Sequence, residues 1–449
     1  MTYAILSEAL RAAMARNDDN AITHLIAELQ PADLADFITQ QNPAASLELL
    51  RHLPLPERAE AFGYLEQEQQ LNLARLMPER ELAGLMTPMP ADERADLFNL
   101  LPEPRQEATL RHLAREERED VRRLASYREG TAGALMTTDY VTIPEQAKVA
   151  EALALVRRTA PDAETIYQLY VLDERRRLVG TLSLRELILN SPASSVRALM
   201  TTELVQAEVD LPQEEVARLI SRYDLLALPV VDAEQRLVGI ITYDDAMDVA
   251  EEEATEDIHK GGTIGKLEGG LRNASLFTLY RKRIVWLVLL VFANIFSGAG
   301  IAHFEETIEA YIVLVFFLPL LIDSGGNAGS QAATLMVRGI ATGDVRLADW
   351  GKLLGREMIV ATGLGLTMAL AVSLLGTFRG GPDIALVVAL SMLVIVMVGS
   401  LIGMSLPFVL NRLGWDPATA SAPLVTTIAD ASGVLIYFGI ATSLLGLPA

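Results

Sequence analysis

The chain has 449 residues and a formal net charge of −21, with 58 Asp and Glu against 37 Lys and Arg and no cysteine. That length allows two to four domains. The acidic balance argues against a nucleic-acid partner, and the missing cysteine excludes disulfides and thiolate metal sites. The charge is uneven: residues 1–270 hold 48 acids against 27 bases, whereas residues 271–449 hold 10 of each. His24, His52, His112, His259 and His303 show no ligand spacing, so no zinc site is expected. Met1–Arg16 lacks a basic start followed by an apolar run, so no signal peptide is expected, and everything before the first long apolar run should stay in the cytosol.

In chain order, residues 1–130 come first and carry a loose repeat. Glu57-Arg-Ala-Glu-Ala-Phe62 is nearly copied by Glu93-Arg-Ala-Asp-Leu-Phe98, and Asp33-Leu-Ala-Asp-Phe37 is a weaker copy. Pro31, Pro56 and Pro90 sit just ahead, where a helix's first turn tolerates proline. This predicts short helices stacked as a small all-α solenoid, a scaffold more than a catalytic site.

Residues 131–250 hold a clearer repeat, divided at about 192/193. Ala134-Leu-Met-Thr-Thr138 recurs as Ala198-Leu-Met-Thr-Thr202, and Leu178-Val-Gly-Thr-Leu-Ser183 is echoed by Leu237-Val-Gly-Ile-Ile-Thr242. Each copy predicts helix, strand, turn, strand and helix, an α+β unit whose partner covers its sheet. The pair resembles tandem CBS domains. That resemblance implies a nucleotide ribose held by a hydroxyl and an acid, here Ser183 with Arg185 and Glu186, and Thr242 with Asp245. Glu186 departs from the usual Asp, so a purely structural or metal-sensing pair is an equal alternative to ATP binding.

From Tyr243 to Lys260 the chain is dense in acids, with Ala246, Val249, Ala250, Ala254 and Ile258 able to form one apolar helix face. Like charges this close destabilise a helix unless a cation lies among them, and hard divalent cations take oxygen ligands. Gly261–Leu267 is expected to be a hinge, so residues 251–280 form an acidic linker helix and hinge.

Residues 281–449 contain five runs near the ~20 residues that cross a bilayer: Ile284–His303, Ala310–Val337, Leu353–Thr377, Ile384–Leu410 and Ala418–Leu447. Pro319 and Gly325-Gly326 predict a break or kink in the second. Arg281, Lys282, Arg283, Arg338, Arg346, Lys352, Arg356 and Arg412 fall on one side, which places the N-terminus in the cytosol and the C-terminus outside the cytoplasmic membrane. Five helices are few to enclose a pore, which points to a homodimer. The spacings Gly351/Gly355 and Gly399/Gly403 fit close helix packing. Asp430 shares a helix face with Thr426, Thr427 and Gly433; a carboxylate at that depth marks an ion pathway by default, a structural Asp being the plainer alternative. In Asp323-Ser-Gly-Gly-Asn-Ala-Gly-Ser-Gln331, Gly325 and Gly326 would let backbone carbonyls face a cavity beside Asp323 and Asn327.

Taken in order, these parts resemble the MgtE family of magnesium transporters over essentially the full length. The most specific stretches are Gly325-Gly-Asn-Ala-Gly-Ser-Gln331, Ala341-Thr-Gly-Asp344, Leu413-Gly-Trp-Asp-Pro417, Pro423-Leu-Val-Thr-Thr-Ile-Ala-Asp430 and Ala254-Thr-Glu-Asp-Ile-His-Lys260. The resemblance implies a homodimeric Mg²⁺ pathway in the bilayer, with Asp430 holding a hydrated ion on the dimer axis. It also implies closure by cytosolic Mg²⁺ bound among sensor acids, for which Asp92, Asp244, Asp245, Asp248, Glu251, Glu252, Glu256 and Asp257 are candidates, with Asp416 sharing an ion with the linker. Asp323 departs from the neutral residue expected there. The alternatives are a CBS-regulated carrier of Mn²⁺, Co²⁺ or another class of solute, and a membrane-anchored enzyme or receptor. An anion pathway should show buried Arg or Lys, and no nucleophile–base pair or phosphate loop supports catalysis.

Overall fold

Helix-end carbonyls, which have no partner within their own helix, explain the first repeat. Arg58 donates to the carbonyls of Arg51 and Leu53, both at 3.0 Å. Arg94, at the same place in the next copy, donates to those of Met89 at 2.7 Å and Thr87 at 3.5 Å. Gln70 and Gln106 do the same for Phe62 and Gly63, and for Phe98 and Leu101. Each repeat thus ties off the end of the helix before it. The computed structural model describes residues 3–265 and 275–446, which fall into two compact units, Met1–Glu251 and Glu252–Ala449.

In the first unit, short helices run from Tyr3–Ala15 to Arg115–Leu124. They share one core, in which Leu10, Phe37, Leu50, Phe62 and Leu82 are fully enclosed. The helix Ala91–Leu100 joins that core through Leu97 and Phe98 but has a second face. Its Ala91 and Ala95 pack with Ile241, Ala246 and Val249 of the second CBS-like copy, and this brings Asp92, Glu93 and Asp96 to the junction.

Each CBS-like copy has one strand more than expected. The first sheet is β1 (Tyr140–Pro144), β2 (Thr165–Leu172) and β3 (Leu178–Ser183); the second is β4 (Ala207–Glu208), β5 (Ala227–Val231) and β6 (Leu237–Thr242). The pairs β2–β3 and β5–β6 are the antiparallel hairpins the repeat predicts. β1 and β4 join in parallel through the crossover helices Val149–Thr159 and Gln213–Tyr223, and strands this short leave little periodicity to read. The two copies share a core of Tyr170, Leu178, Val231, Leu237 and Ile240.

The linker helix, Tyr243–Gly261, is continuous. Its expected apolar face holds only at the start: Ala246 and Val249 are buried, whereas Ala250 is exposed and Ile258 is 74% exposed. The hinge expected at 261–267 lies partly outside the described residues.

Among the described residues the second unit has four helices long and apolar enough to cross a membrane, judged by length and composition: Leu276–His303, Val313–Ala341, Leu347–Arg412 and Ala422–Leu445. The third carries a break at Gly381, whose φ of 83° favours glycine. Its two arms fold back on one another. Thr362 reaches Met397 at 3.8 Å, and a Cβ on Gly376 would stand 2.7 Å from the Ala385 Cα.

Of the break or kink expected in this segment, a break is excluded: Val313–Ala341 runs as one helix through Pro319, Gly325 and Gly326. These glycines are buried at a helix crossing and do not line a cavity with carbonyls. Gly399 meets the Gly325 backbone, Gly403 meets the Gly329 backbone, and a Cβ on Gly326 would stand 2.8 Å from Thr426 Cγ2. Small residues let two helix backbones approach this closely. Gly351 and Gly355, by contrast, have open space where a Cβ would go. Gly403→Val should therefore destabilise the membrane domain by roughly 3 kcal/mol or more, while Gly351→Val should stay within about 0.5 kcal/mol of the parent; unfolding of the detergent-solubilised protein measures both.

Candidate functional site

The first unit gathers carboxylates where helix Ala91–Leu100 meets the start of the linker helix. Asp92 is buried, with its Oδ1 unpartnered, as is Glu93 Oε2. Burial, then the charges of Asp245 and Glu93, push Asp92 well above the usual carboxylate range. Burial together with Glu164 and Asp245 raises Glu93 to about 7. Glu164, just before β2, is raised to about 7 by burial and by Asp245 and Asp244. Asp245 is pushed to about 6 by burial, against the pull of a 2.5 Å hydrogen bond from Thr242. Asp248 is raised by burial and by the charges of Asp244 and Glu251. Among the described residues no three His, Asp or Glu side chains stand close enough to enclose a metal ion outright. The donor set nonetheless fits a hard cation held partly through its own water, because it offers oxygens only, two of them buried without partners.

Of the expected sensor acids, Asp92, Asp244, Asp245, Asp248 and Glu251 therefore meet in one electrostatic group. Glu256 and Asp257 belong to a second group at the far end of the linker, and Glu252 lies on the helix between them. There Lys260 pairs with Glu256 and, at 2.5 Å, with Asp416. Asp257 is raised by burial and by the charge of Asp416. Sequence reasoning missed Glu93, Asp96 and Glu164. The first two stood in a quoted repeat as apparent scaffold positions; nothing in the sequence around Glu164 marks it.

At the two CBS-like positions the hydroxyl and the acid bond to each other. Glu186 accepts from the Ser183 amide at 2.9 Å and from its hydroxyl at 3.0 Å, as a helix cap. Thr242 donates to Asp245, and Arg185 is exposed.

In the second unit, a polar seam runs between helices Val313–Ala341 and Ala422–Leu445. Asn327 donates to Asp323 at 3.1 Å. Ser330 approaches Thr426 at 3.3 Å, and Asp430 stands one turn beyond Thr426 with its Oδ1 buried and unpartnered. The Asp323 and Asp430 charges lie close enough to act on one another. Thr427 turns its hydroxyl to its own helix, to the Pro423 carbonyl at 2.8 Å, so it offers the seam less than the sequence suggests. Another acid on the long apolar helices, Glu357, accepts a hydrogen bond from the buried Ser400 across the hairpin. It lay inside a run counted as apolar, and its single charge was the only sign of it.

The family models for the MgtE intracellular N domain, the CBS domain and the divalent cation transporter domain match residues 29–130, 132–192 with 196–252, and 318–440. Over 443 residues, 98% of each chain, this one is 39% identical to the magnesium transporter MgtE of Thermus thermophilus. The chain belongs to the MgtE family. A second MgtE-family relative, the magnesium transporter MgtE of Bacillus subtilis, is 35% identical over 93% of each chain. The crystal structure of the cytosolic domain of the Mg²⁺ channel MgtE in complex with ATP matches 54% of this chain and 99% of that one, at 38% identity and a TM-score of 0.53.

Raised carboxylate values mean that the folded cluster retains protons that the unfolded chain releases near its ordinary value of about 4. Without divalent cation, the stability of the first unit should fall as pH rises from about 4 to about 7, where the folded cluster ionises. Asp92→Asn removes the cost of burying this acid, whether it stays ionised or holds a proton that the unfolded chain would release. It should raise stability at pH 8 in EDTA by on the order of 1–2 kcal/mol and blunt any gain from Mg²⁺. Thermal unfolding of the purified protein at pH 5 and pH 8, with and without Mg²⁺, checks both effects.

Proposed function

We propose that this protein conducts Mg²⁺ across the cytoplasmic membrane as a homodimer, with Asp430 at the ion's position in the pathway. The observation that carries this is the unpartnered buried oxygen of Asp430 beside the polar seam of Asp323, Asn327, Ser330 and Thr426. A carboxylate oxygen is rarely left without a partner at such depth unless a cation visits it. Mg²⁺ gives up its water reluctantly, so one carboxylate from each protomer can hold it through water. The relatives named as magnesium transporters support the same cation.

In this reading the polypeptide crosses the membrane five times, the broken helix Trp350–Arg412 contributing two crossings. The N-terminus is cytosolic and the C-terminus outside. Residues 1–130, 131–250, 251–280 and 281–449 act as helical domain, CBS pair, linker and pore domain. Cytosolic Mg²⁺ among Asp92, Asp244, Asp245, Asp248 and Glu251, and separately near Glu252, Glu256, Asp257 and Asp416, favours the closed arrangement. Its loss lets the acids repel, a population shift driven by differential affinity. ATP is a candidate ligand at Ser183, Arg185, Glu186, Thr242 and Asp245, since the related cytosolic domain was crystallised with it. It would have to open both hydroxyl–acid pairs.

In liposomes carrying the purified protein, Mg²⁺ should move down its gradient, and Asp430→Ala should cut that flux roughly tenfold or more, an effect of about 1.4 kcal/mol. Unchanged flux in the variant would remove Asp430 from the pathway. No flux in the parent would end the transport reading.

A further inference from the structure

The last turn of the linker helix brings a cation of its own. Lys260 Nζ donates to Asp416 Oδ2 at 2.5 Å, across 156 positions of sequence, and also pairs with Glu256 on its own helix. The remaining Asp416 oxygen, Oδ1, accepts from the Ala418 amide at 2.8 Å. That bond caps the short turn Pro417–Thr419, which leads into the helix of Asp430. Asp257, on the same linker turn, is drawn by Lys260 and by Arg338, which ends the helix of Asp323 and Asn327. The carboxylates that a divalent cation would bridge here are already gathered by a tethered ammonium, whose three donors can serve two acids at once.

We propose that Lys260 is an ion-independent latch. With no divalent cation bound, its ammonium holds the end of the linker helix against the turn before the last apolar helix, and so lowers the amount of Mg²⁺ needed for closure. The second half of this statement rests on the reading in which the linker controls the pathway; the first half does not. Because the acids are held together in advance, closure itself meets less acid–acid repulsion and less disorder, and a cation that binds at Asp416 or Glu256 takes the place of the ammonium there. Lys260 and Asp416 are 32% and 39% exposed, so the latch has the strength of a partly exposed ion pair and weakens with salt.

The test uses the full-length protein in EDTA at low salt, with hydrogen exchange of the linker as readout. Lys260→Met should speed exchange around Glu256–Lys260 about threefold to fivefold, the size expected for such a pair. Lys260→Arg should restore protection, and adding Lys260→Met to Asp416→Asn should add little, because both remove one interaction. Unchanged exchange around Ala246–Val249 reports that each variant is folded. In liposomes, Lys260→Met should raise the Mg²⁺ concentration that halves flux by a similar factor. Exchange equal to the parent's, or closure at a lower Mg²⁺ concentration, overturns the latch. If the parent itself passes no Mg²⁺, the transport reading fails, and exchange in EDTA still decides the contact.

Discussion

Carboxylates drawn close together in a partly dry place cannot all ionise without a compensating charge, and most of this molecule is arranged around that constraint. In the first unit, a helix from the N-terminal solenoid is packed by two alanines onto the base of the linker helix. The same packing presses Asp92 and Glu93 toward Asp245 and Glu164. The apolar contact supplies the attraction and the acids supply the opposition. A balance of that kind responds to protons or cations because neither side dominates. A junction sealed by apolar residues alone would not respond, and one lined by acids alone would not form.

The membrane half meets the opposite requirement, which is rigidity. Gly325 and Gly329 cross Gly399 and Gly403 at backbone distance, so the helix bearing Asp323 and Asn327 is fixed against the returning arm of the hairpin. The Glu357–Ser400 bond joins the two arms one residue from that crossing. Tyr437, fully buried, ties the helix of Asp430 to the Leu314 carbonyl at 3.0 Å. If these polar groups hold a hydrated ion as proposed, they need such a frame, because a displacement of one ångström would change which waters they can reach.

Much of this was legible in the residues. The repeats were visible because each copy restates its neighbour, and the membrane runs because composition changes sharply near residue 270. Asp430 stood out because charge is rare in such runs. Other features left no such trace. Gly325 and Gly326 suggested a broken helix, but in a membrane helix glycine serves backbone crossing as readily as bending, and only the partner helix decides which. The apolar face assigned to the whole linker holds only at its first turns: Ile258 has the right period, but no neighbour among the described residues covers it. Glu93 and Glu164 gained their significance from tertiary proximity, which no local pattern encodes. Lys260 reads in the sequence as the end of an acidic helix, because its partner Asp416 lies 156 positions away.

The boundary between the two compact units falls inside one uninterrupted helix, Tyr243–Gly261. An α-helix advances about 100° per residue, so this rod carries angular phase as well as distance. Inserting one residue near Glu252 would delete no charge and break no contact within either unit. It would nevertheless turn Glu256, Asp257 and Lys260 about 100° away from the direction set at Asp245. If the linker controls the pathway as proposed, the number of residues in that stretch matters as much as their identity. Relatives that differ there by three or four residues, close to one full turn, would keep the two ends in step, while those that differ by two would not.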